Sequence, residues 1–365
     1  MKRQPNKRVT LADIAASAGV TSMTVSRVLN QQGNVNGETS ERVLRVVREM
    51  GYRRNGLARG LKRQRTETIG LVLGDIANPF AAELSRGVRE VLEERGYTLF
   101  ICISEHSPKE DVEAFDALAD HRADGIIVAT RASRIGNVKL EGLIDSGLPV
   151  ALIGRDFRHP RADLVTADHF KGGYQATSHL IQTGRRRIGF IGLSLTKNVA
   201  LRRFQGYVEA LEEHGLPVTE ELIVGPREGD DQMPGYSTEE IGYEGMTRLL
   251  SLKERPTAIF ARNDFTAVGA LNAIKQAGLR VPEDIAVVGY DDIPLAAHTW
   301  PPLTTVRQPT REQGRVAAEF LLRRIEADHE SPRQERIFQC ELIVRESTAG
   351  GSTGSENELS SAARR

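Results

Sequence analysis

Cysteine is almost missing from this sequence: Cys102 and Cys340 are the only two among 365 residues. That excludes a disulfide framework, and because both lie in apolar strand-like runs they are expected to be buried thiols serving no metal site. No apolar stretch reaches the length of about 20 residues that a membrane-spanning helix needs, and the N-terminus has no apolar signal segment. A cytoplasmic protein with no membrane partner is therefore expected. Catalytic signatures are missing as well. There is no Gly-x-Ser-x-Gly elbow, no phosphate-binding Gly-x4-Gly-Lys-Ser/Thr loop and no His-Glu-x-x-His, and the eight His are scattered. Asp291 and Asp292 do not make a metal pair, since neighbours on an extended segment point apart. Neither an enzyme nor a cofactor is expected. Net charge is also absent, with 49 basic against 49 acidic residues, but that balance hides a division. Residues 1–65 hold 14 Lys and Arg against 4 Asp and Glu, so the first segment carries +10 and the remainder −10. A basic segment of this kind suits phosphate contacts whose affinity falls steeply with salt.

What is present begins with the run Val9 to Asn30. Thr10 is a good N-cap with Asp13 three positions later, so a first helix starts near Leu11. Ile14, Ala15 and Ala18 recur at helical spacing, Gly19 supplies a left-handed stop, and Thr21 caps a second helix that carries Val25, Val28 and Leu29 inward. Ser22, Met23, Ser26 and Arg27 face out. This is the pattern of a helix-turn-helix whose second helix enters the major groove, where Ser22 and Met23 meet base edges and Arg27 a base or phosphate. The alternative is a helical hairpin with a solvated face. Glu38 to Met50 reads as a third helix offering Val43, Leu44, Val46 and Val47 for packing, closed by Gly51. A fourth, Asn55 to Lys62, holds two glycines and is too short to be stable alone.

Leu11 to Asn30, followed by Gly51-Tyr52, Asn55 and Ala58-Arg59-Gly60-Leu61, resembles the DNA-binding headpiece and hinge of the LacI/GalR family of transcriptional repressors, and the likeness extends to about residue 347. It implies a homodimer on a palindromic double-stranded operator, with paired hinge helices in the minor groove. Leu61 of each copy would wedge into the central base step, at an unstacking cost repaid by contacts with bent DNA. The alternative is that Leu61 packs on its dimer partner. Arg54 stands where the family has Pro, which bears on where the hinge helix begins. The DNA-contacting set is expected to be Thr10, Leu11, Ser22, Met23, Ser26, Arg27, Asn30, Asn34, Thr39, Asn55, Ala58 and Leu61.

The length is too great for one ordinary domain. The body repeats itself: Ile69 to Leu73 followed by the helical Arg86 to Tyr97 is echoed by Ile188 to Gly192 followed by Gln205 to Leu216. With further strand-like runs at 125–129, 149–153, 258–261 and 285–288, this calls for two doubly wound parallel-sheet lobes. The resemblance adds a periplasmic-binding-protein-like body in which the chain crosses between lobes near residues 166, 292 and 324. The expected division is a headpiece over 1–54, a hinge over 55–65 and a body over 66–347, followed by a disordered tail over 348–365. Within the body the first lobe would take 66–165 and 293–323, the second 166–292 and 324–347.

Ligands of such sheets bind beyond the carboxyl ends of the strands, where this sequence is polar. By family position Phe80, Asp156, Arg203, Asn263 and Asp291 match effector-contacting places. Arg155, Lys197 and Asp264 also follow strands and join the candidate set. Asp264 stands equally well as a helix cap, and Asn78-Pro79-Phe80 as a turn. The expected function is a repressor controlled by a small molecule, a sugar or sugar derivative, bound between the lobes. Arg155, Lys197 and Arg203 hint at an anionic sugar. Control by a phosphorylated carrier protein or a nucleobase-type corepressor remains open, and a sugar-binding protein without DNA affinity or an α/β enzyme fits less well.

Overall fold

A computed structural model describes residues 9–29, 33, 35–52, 65–105, 107–130, 133–155, 157–193, 199–225, 238–326 and 331–349. The chain divides into two compact units, Met1–Thr66 and Glu67–Arg365. The first holds α1 (Leu11–Ala18), α2 (Ser22–Leu29) and α3 (Gly37–Glu49). α1 starts where Thr10 and Asp13 close a capping box: the Thr10 N–H donates to Asp13 Oδ2 at 2.8 Å and the Asp13 N–H to Thr10 Oγ1 at 3.3 Å. It stops at Gly19, whose φ of 65° lies in the left-handed region. Thr21 accepts from the Thr24 N–H at 3.2 Å and so opens α2. Ile14, Val25 and Val43 are fully buried at the centre of the three-helix core. Arg42 Nε donates to the Ala18 carbonyl at 3.0 Å, satisfying an orphan acceptor at the end of α1 from α3. Leu44, expected inward, is instead exposed, because the roughly 100° step from buried Val43 carries it off the packed face. The expected hinge helix and its Asn55, Ala58 and Leu61 lie outside the described residues, as do Asn30 and Asn34.

In the second unit β1 (Thr68–Leu73), β2 (Thr98–Ile103), β3 (Gly125–Ala129), β4 (Val150–Ile153), β5 (Ala162–Ala167) and β11 (Glu335–Phe338) form a parallel sheet in the order 11-5-4-3-1-2. β6 (Ile188–Ile191), β7 (Ile223–Val224), β8 (Ala258–Ala261) and β9 (Ala286–Val288) form a second parallel sheet in the order 7-6-8-9. The central strands are short runs buried on both faces, as parallel sheets require. α4 (Pro79–Glu94) and α11 (Thr310–Glu326) cover one face of the first sheet, α5 (Pro108–Asp120) and α6 (Arg134–Asp145) the other. On the second sheet α7 (His169–Gln182) and α8 (Val199–Glu213) lie opposite α9 (Thr238–Leu250) and α10 (Asp264–Gln276). An antiparallel ribbon of β10 (Thr305–Arg307) and β12 (Glu341–Ile343) extends the second lobe.

The first crossing follows β5 near the expected residue 166, but the other two come later than expected. Residues 293–307 stay with the second lobe, where Ala296, Leu303 and Val306 are buried in its core, so the second crossing is at Gln308-Pro309 rather than 292. The third is at Gln339-Cys340 rather than 324, because α11 packs on the first lobe to Ile325 and β11 pairs with β5 there. Cys340, expected in a strand, sits in this link with its thiol 3.2 Å from the Tyr290 hydroxyl. Thr348, placed in the expected tail, is buried and bonds to His179 Nε2 and to Thr304 Oγ1, each at 2.8 Å.

The helix pairs touch backbone to backbone through reciprocal glycines. A Cβ on Gly87 of α4 would lie 1.9 Å from the Arg311 carbonyl oxygen, and one on Gly314 of α11 would lie 2.3 Å from that of Leu84. Gly173 and Gly206 do the same for α7 and α8, and Gly242 and Gly269 for α9 and α10. In an open helix Gly→Ala stabilises by about 0.5–1 kcal/mol. Here the added methyl meets backbone, and overpacking costs about 1–3 kcal/mol. Gly87→Ala should therefore lower the midpoint of thermal unfolding by about 2–12 °C, at roughly 2–4 °C per kcal/mol. An unchanged or raised midpoint in calorimetry would show that α4 and α11 are not in backbone contact.

Candidate functional site

The headpiece presents α2 with its first turn open. Ser22, Met23 and Arg27 are exposed, Met23 at 65%, while Ser26 and Thr39 are half-buried. Leu11 is half-buried against the core, and the exposed Thr10 is engaged in the capping box. Packing within the headpiece does not explain an apolar methionine left exposed beside a helix N-terminus.

In the body a cavity of about 190 Å³ opens between the lobes, far more than a single ordered water needs. Asp75, Asn78, Phe80 and Thr130 line it from the first lobe, and His169, Arg203, Thr238, Arg262, Asn263 and Asp291 from the second. Gln308 and Gln313, from the second crossing and α11, also line it.

Arg203, on α8, is 6% exposed and is held on every side. Its guanidinium carbon lies 3.6 Å from the centroid of the Tyr290 ring, Nη1 donates to the Arg262 carbonyl at 2.5 Å, and Nη2 to Asp291 Oδ1 at 3.3 Å. Nε donates to His169 Nδ1 at 3.4 Å, which makes that ring nitrogen an acceptor. Asp291 Oδ1 also accepts from Gln308 Nε2 at 2.6 Å, and Gln308 Oε1 accepts from Gln313 Nε2 at 3.3 Å. A polar relay therefore runs from helix α11 of the first lobe to the guanidinium of the second. Burial lifts the Asp291 carboxyl above its usual range, opposed by Arg203 and the Gln308 amide.

Among the expected residues, Phe80, Arg203, Asn263 and Asp291 share this cavity. Asn78 caps α4 by accepting from the Phe80 N–H at 2.9 Å, which aims the Phe80 ring at the cleft. Asn263 caps α10 through its Oδ1, accepting from the Thr266 N–H at 2.9 Å and the Thr266 hydroxyl at 2.7 Å, and its NH2 group is the donor left over. Asp264 does not join them. It is fully buried, accepting from the Ile293 N–H at 2.8 Å and the Thr305 hydroxyl at 2.5 Å, and burial with Asp291 nearby holds its carboxyl well above the usual range. Nor does Arg155 line this cavity. It turns into the first lobe, donating to the Thr130 hydroxyl at 2.8 Å and Asn137 Oδ1 at 2.9 Å, with Asp111 at 3.8 Å. Burial brings its pKa down to about 10, leaving it charged. Asp156 and Lys197 lie outside the described residues. Sequence reasoning missed Gln308, because β10 was not recognised as a strand. It also missed His169 and Tyr290, which read as ordinary core residues.

His169 is 6% exposed, and burial together with the Arg203 charge holds its pKa well below the usual value. An unfolded His takes up a proton near pH 6.5 and this one does not, so it erodes stability as pH falls below about 7. Between pH 7.5 and 5.5 that amounts to about 1 kcal/mol. His169→Gln should shrink the fall in unfolding midpoint across that interval by the corresponding amount. An identical slope in the variant would show that His169 protonates in the folded state.

Residues 10–55 match the model of the lacI family of bacterial regulatory proteins, and residues 177–348 that of a periplasmic binding protein-like domain. The HTH-type transcriptional repressor PurR of Mannheimia succiniciproducens is 36% identical over 340 residues, which cover 93% of this chain and 98% of that protein. The HTH-type transcriptional regulator DegA of Bacillus subtilis is 35% identical over 343 residues, covering 94% and 98%. Among solved structures, the complex of the regulator CelR with cellobiose is 34% identical with a TM-score of 0.69, covering 93% of this chain and 100% of that one. The lac repressor dimer bound to operator and the anti-inducer ONPF has a TM-score of 0.81 at 25% identity, covering 94% and 99%. With the headpiece and the body both matched, this chain belongs to the LacI family: it is a helix-turn-helix, DNA-binding transcriptional repressor with an effector-binding α/β body.

Proposed function

We propose that the chain acts in the cytoplasm, without catalysis, as a homodimer on a palindromic operator, and that a sugar or sugar derivative in the cleft sets its operator affinity. The observation that carries this reading is the lining of the cleft. Residues of both lobes converge on one cavity whose carboxylate, amides and guanidinium suit vicinal hydroxyls, with Phe80 placed to stack on a sugar face. No helix among the described residues is long and apolar enough to cross a membrane. Cellobiose in CelR and ONPF in the lac repressor are the ligands of two similar proteins, and the lac repressor is a dimer on its operator. A nucleobase is less well served, since Phe80 is the one Phe, Tyr or Trp ring among the described lining residues.

Ser22, Met23 and Arg27 are the base-reading and phosphate-contacting candidates of α2, with Thr10, Leu11, Ser26 and Thr39 beside them. Ligand alters the angle between lobes, and that change alters how readily the hinge segments order on DNA. A thermal-shift screen of the full chain against sugars and their derivatives identifies the ligand class. Asp291→Ala should weaken that ligand about 10- to 100-fold, the range for hydrogen bonds to a charged group of about 1.5–3 kcal/mol. Ligand-free binding to an operator found by selection from random duplexes should persist. Ligand affinity unaffected by the substitution would place the effector elsewhere.

A further inference from the structure

A second and larger chamber, of about 550 Å³, adjoins the cleft, and Gly154, His169 and Val199 line both. Four guanidiniums line it: Arg155, already bonded within the first lobe, and, from separate parts of the chain, Arg158 beyond β4, Arg202 on α8 and Arg333 just before β11. Two carboxylates share the lining: Glu335 is paired with Arg333, and among the described residues neither it nor Asp168 pairs with Arg158 or Arg202. Asp168 caps α7 by accepting from the Lys171 N–H at 3.0 Å, and Glu335 stands 3.6 Å from Arg333. Arg333 Nε is nevertheless buried without a hydrogen-bond partner. Arg202 donates to Gln205 at 3.3 Å, and among the described residues neither Arg158 nor Arg202 has a carboxylate within ion-pair range. Guanidiniums gathered at one cavity repel one another, and a buried N–H left without an acceptor costs about 1–3 kcal/mol. A bound anion removes both penalties, and planar guanidinium forks match the oxygens of a phosphate or carboxylate.

We propose that the effector is an anionic sugar whose hydroxylated body occupies the cleft and whose phosphate or carboxylate reaches into the chamber among Arg158, Arg202 and Arg333. This rests on the cleft being the effector site and names the class of effector. The division of labour follows from the linings. The cleft offers hydroxyl-binding carboxylate and amide groups, with its Arg203 guanidinium already paired with Asp291, whereas the chamber adds Arg158 and Arg202, which no carboxylate among the described residues pairs.

The test is calorimetric titration of the full chain with aldohexoses, their 6-phosphates, the corresponding uronic acids and inorganic phosphate. At least one phosphate or acid should bind 10-fold or more tightly than its neutral parent, and the two anionic series decide between ester and carboxylate. The double variant Arg158→Gln/Arg202→Gln should erase that preference while the neutral parent keeps its affinity within twofold. Both side chains are exposed, so folding is not at stake. A neutral parent that binds as well as its anionic forms, or a preference that survives the double variant, overturns the proposal and leaves the cleft reading intact. Silence from every sugar, neutral and anionic alike, overturns it together with the sugar reading of the cleft.

Discussion

Burying the Arg203 guanidinium between two lobes dictates much of what surrounds it. A charge removed from water costs several kcal/mol unless each donor finds a partner, and the return from a single carboxylate rarely covers it. The fold answers with the face of Tyr290, the Arg262 carbonyl, His169 Nδ1 and Asp291. These come from three different parts of the chain, and the crossings between lobes run through the same place. His169 follows the first crossing, Gln308 forms part of the second, and Cys340 of the third touches the Tyr290 hydroxyl. The charge and the second crossing share one carboxylate, since Asp291 accepts from both Arg203 and Gln308.

That arrangement gives the cleft a physical means of communicating with the first lobe. Asp291 is shared by Arg203 of the second lobe and by Gln308, which in turn accepts from Gln313 on α11. A ligand group that competes for Asp291 necessarily changes the relay. The backbone there is already under load, with φ of 112° at Asp291 and 55° at Asp292, conformations that cost non-glycine residues about 1–3 kcal/mol each. Arg307 and Arg345 hold Asp292 at 2.6 and 2.7 Å, so the strain is fixed from the ribbon and the C-terminal segment. Strain held in this way at a ligand site is a reserve from which a conformational change can be driven.

The headpiece and the sheets could be read in the sequence because their determinants are local. Capping by Thr10, the left-handed Gly19 and the helical spacing of Ile14, Ala15 and Ala18 and of Val25, Val28 and Leu29 each act within a few residues. The parallel strands announce themselves as short apolar runs between helices. The crossings at 308 and 339 could not be read, because β10 and β12 are three-residue strands whose pairing with each other spans a wide sequence gap. Arg155 and Asp264 lie off the main cavity for a related reason. Following a strand puts a residue at the mouth of a sheet but does not say whether its side chain turns to the cleft or inward, and both found internal partners, Thr130 and Asn137 for one, Thr305 for the other. Arg203 was legible because its surroundings, Arg-Phe-Gln-Gly-Tyr207, match a family segment. The Tyr290 ring beneath it was not.

The central claim is that occupancy of the cleft and binding to DNA are one linked equilibrium. The direct measurement is operator affinity by fluorescence anisotropy with and without saturating ligand, beside ligand affinity with and without saturating operator. The account predicts that the two ratios are equal, as linkage demands, and that both differ from one by 5-fold or more, about 1 kcal/mol of coupling. A ligand that fills the cleft while leaving the operator dissociation constant unchanged would contradict it.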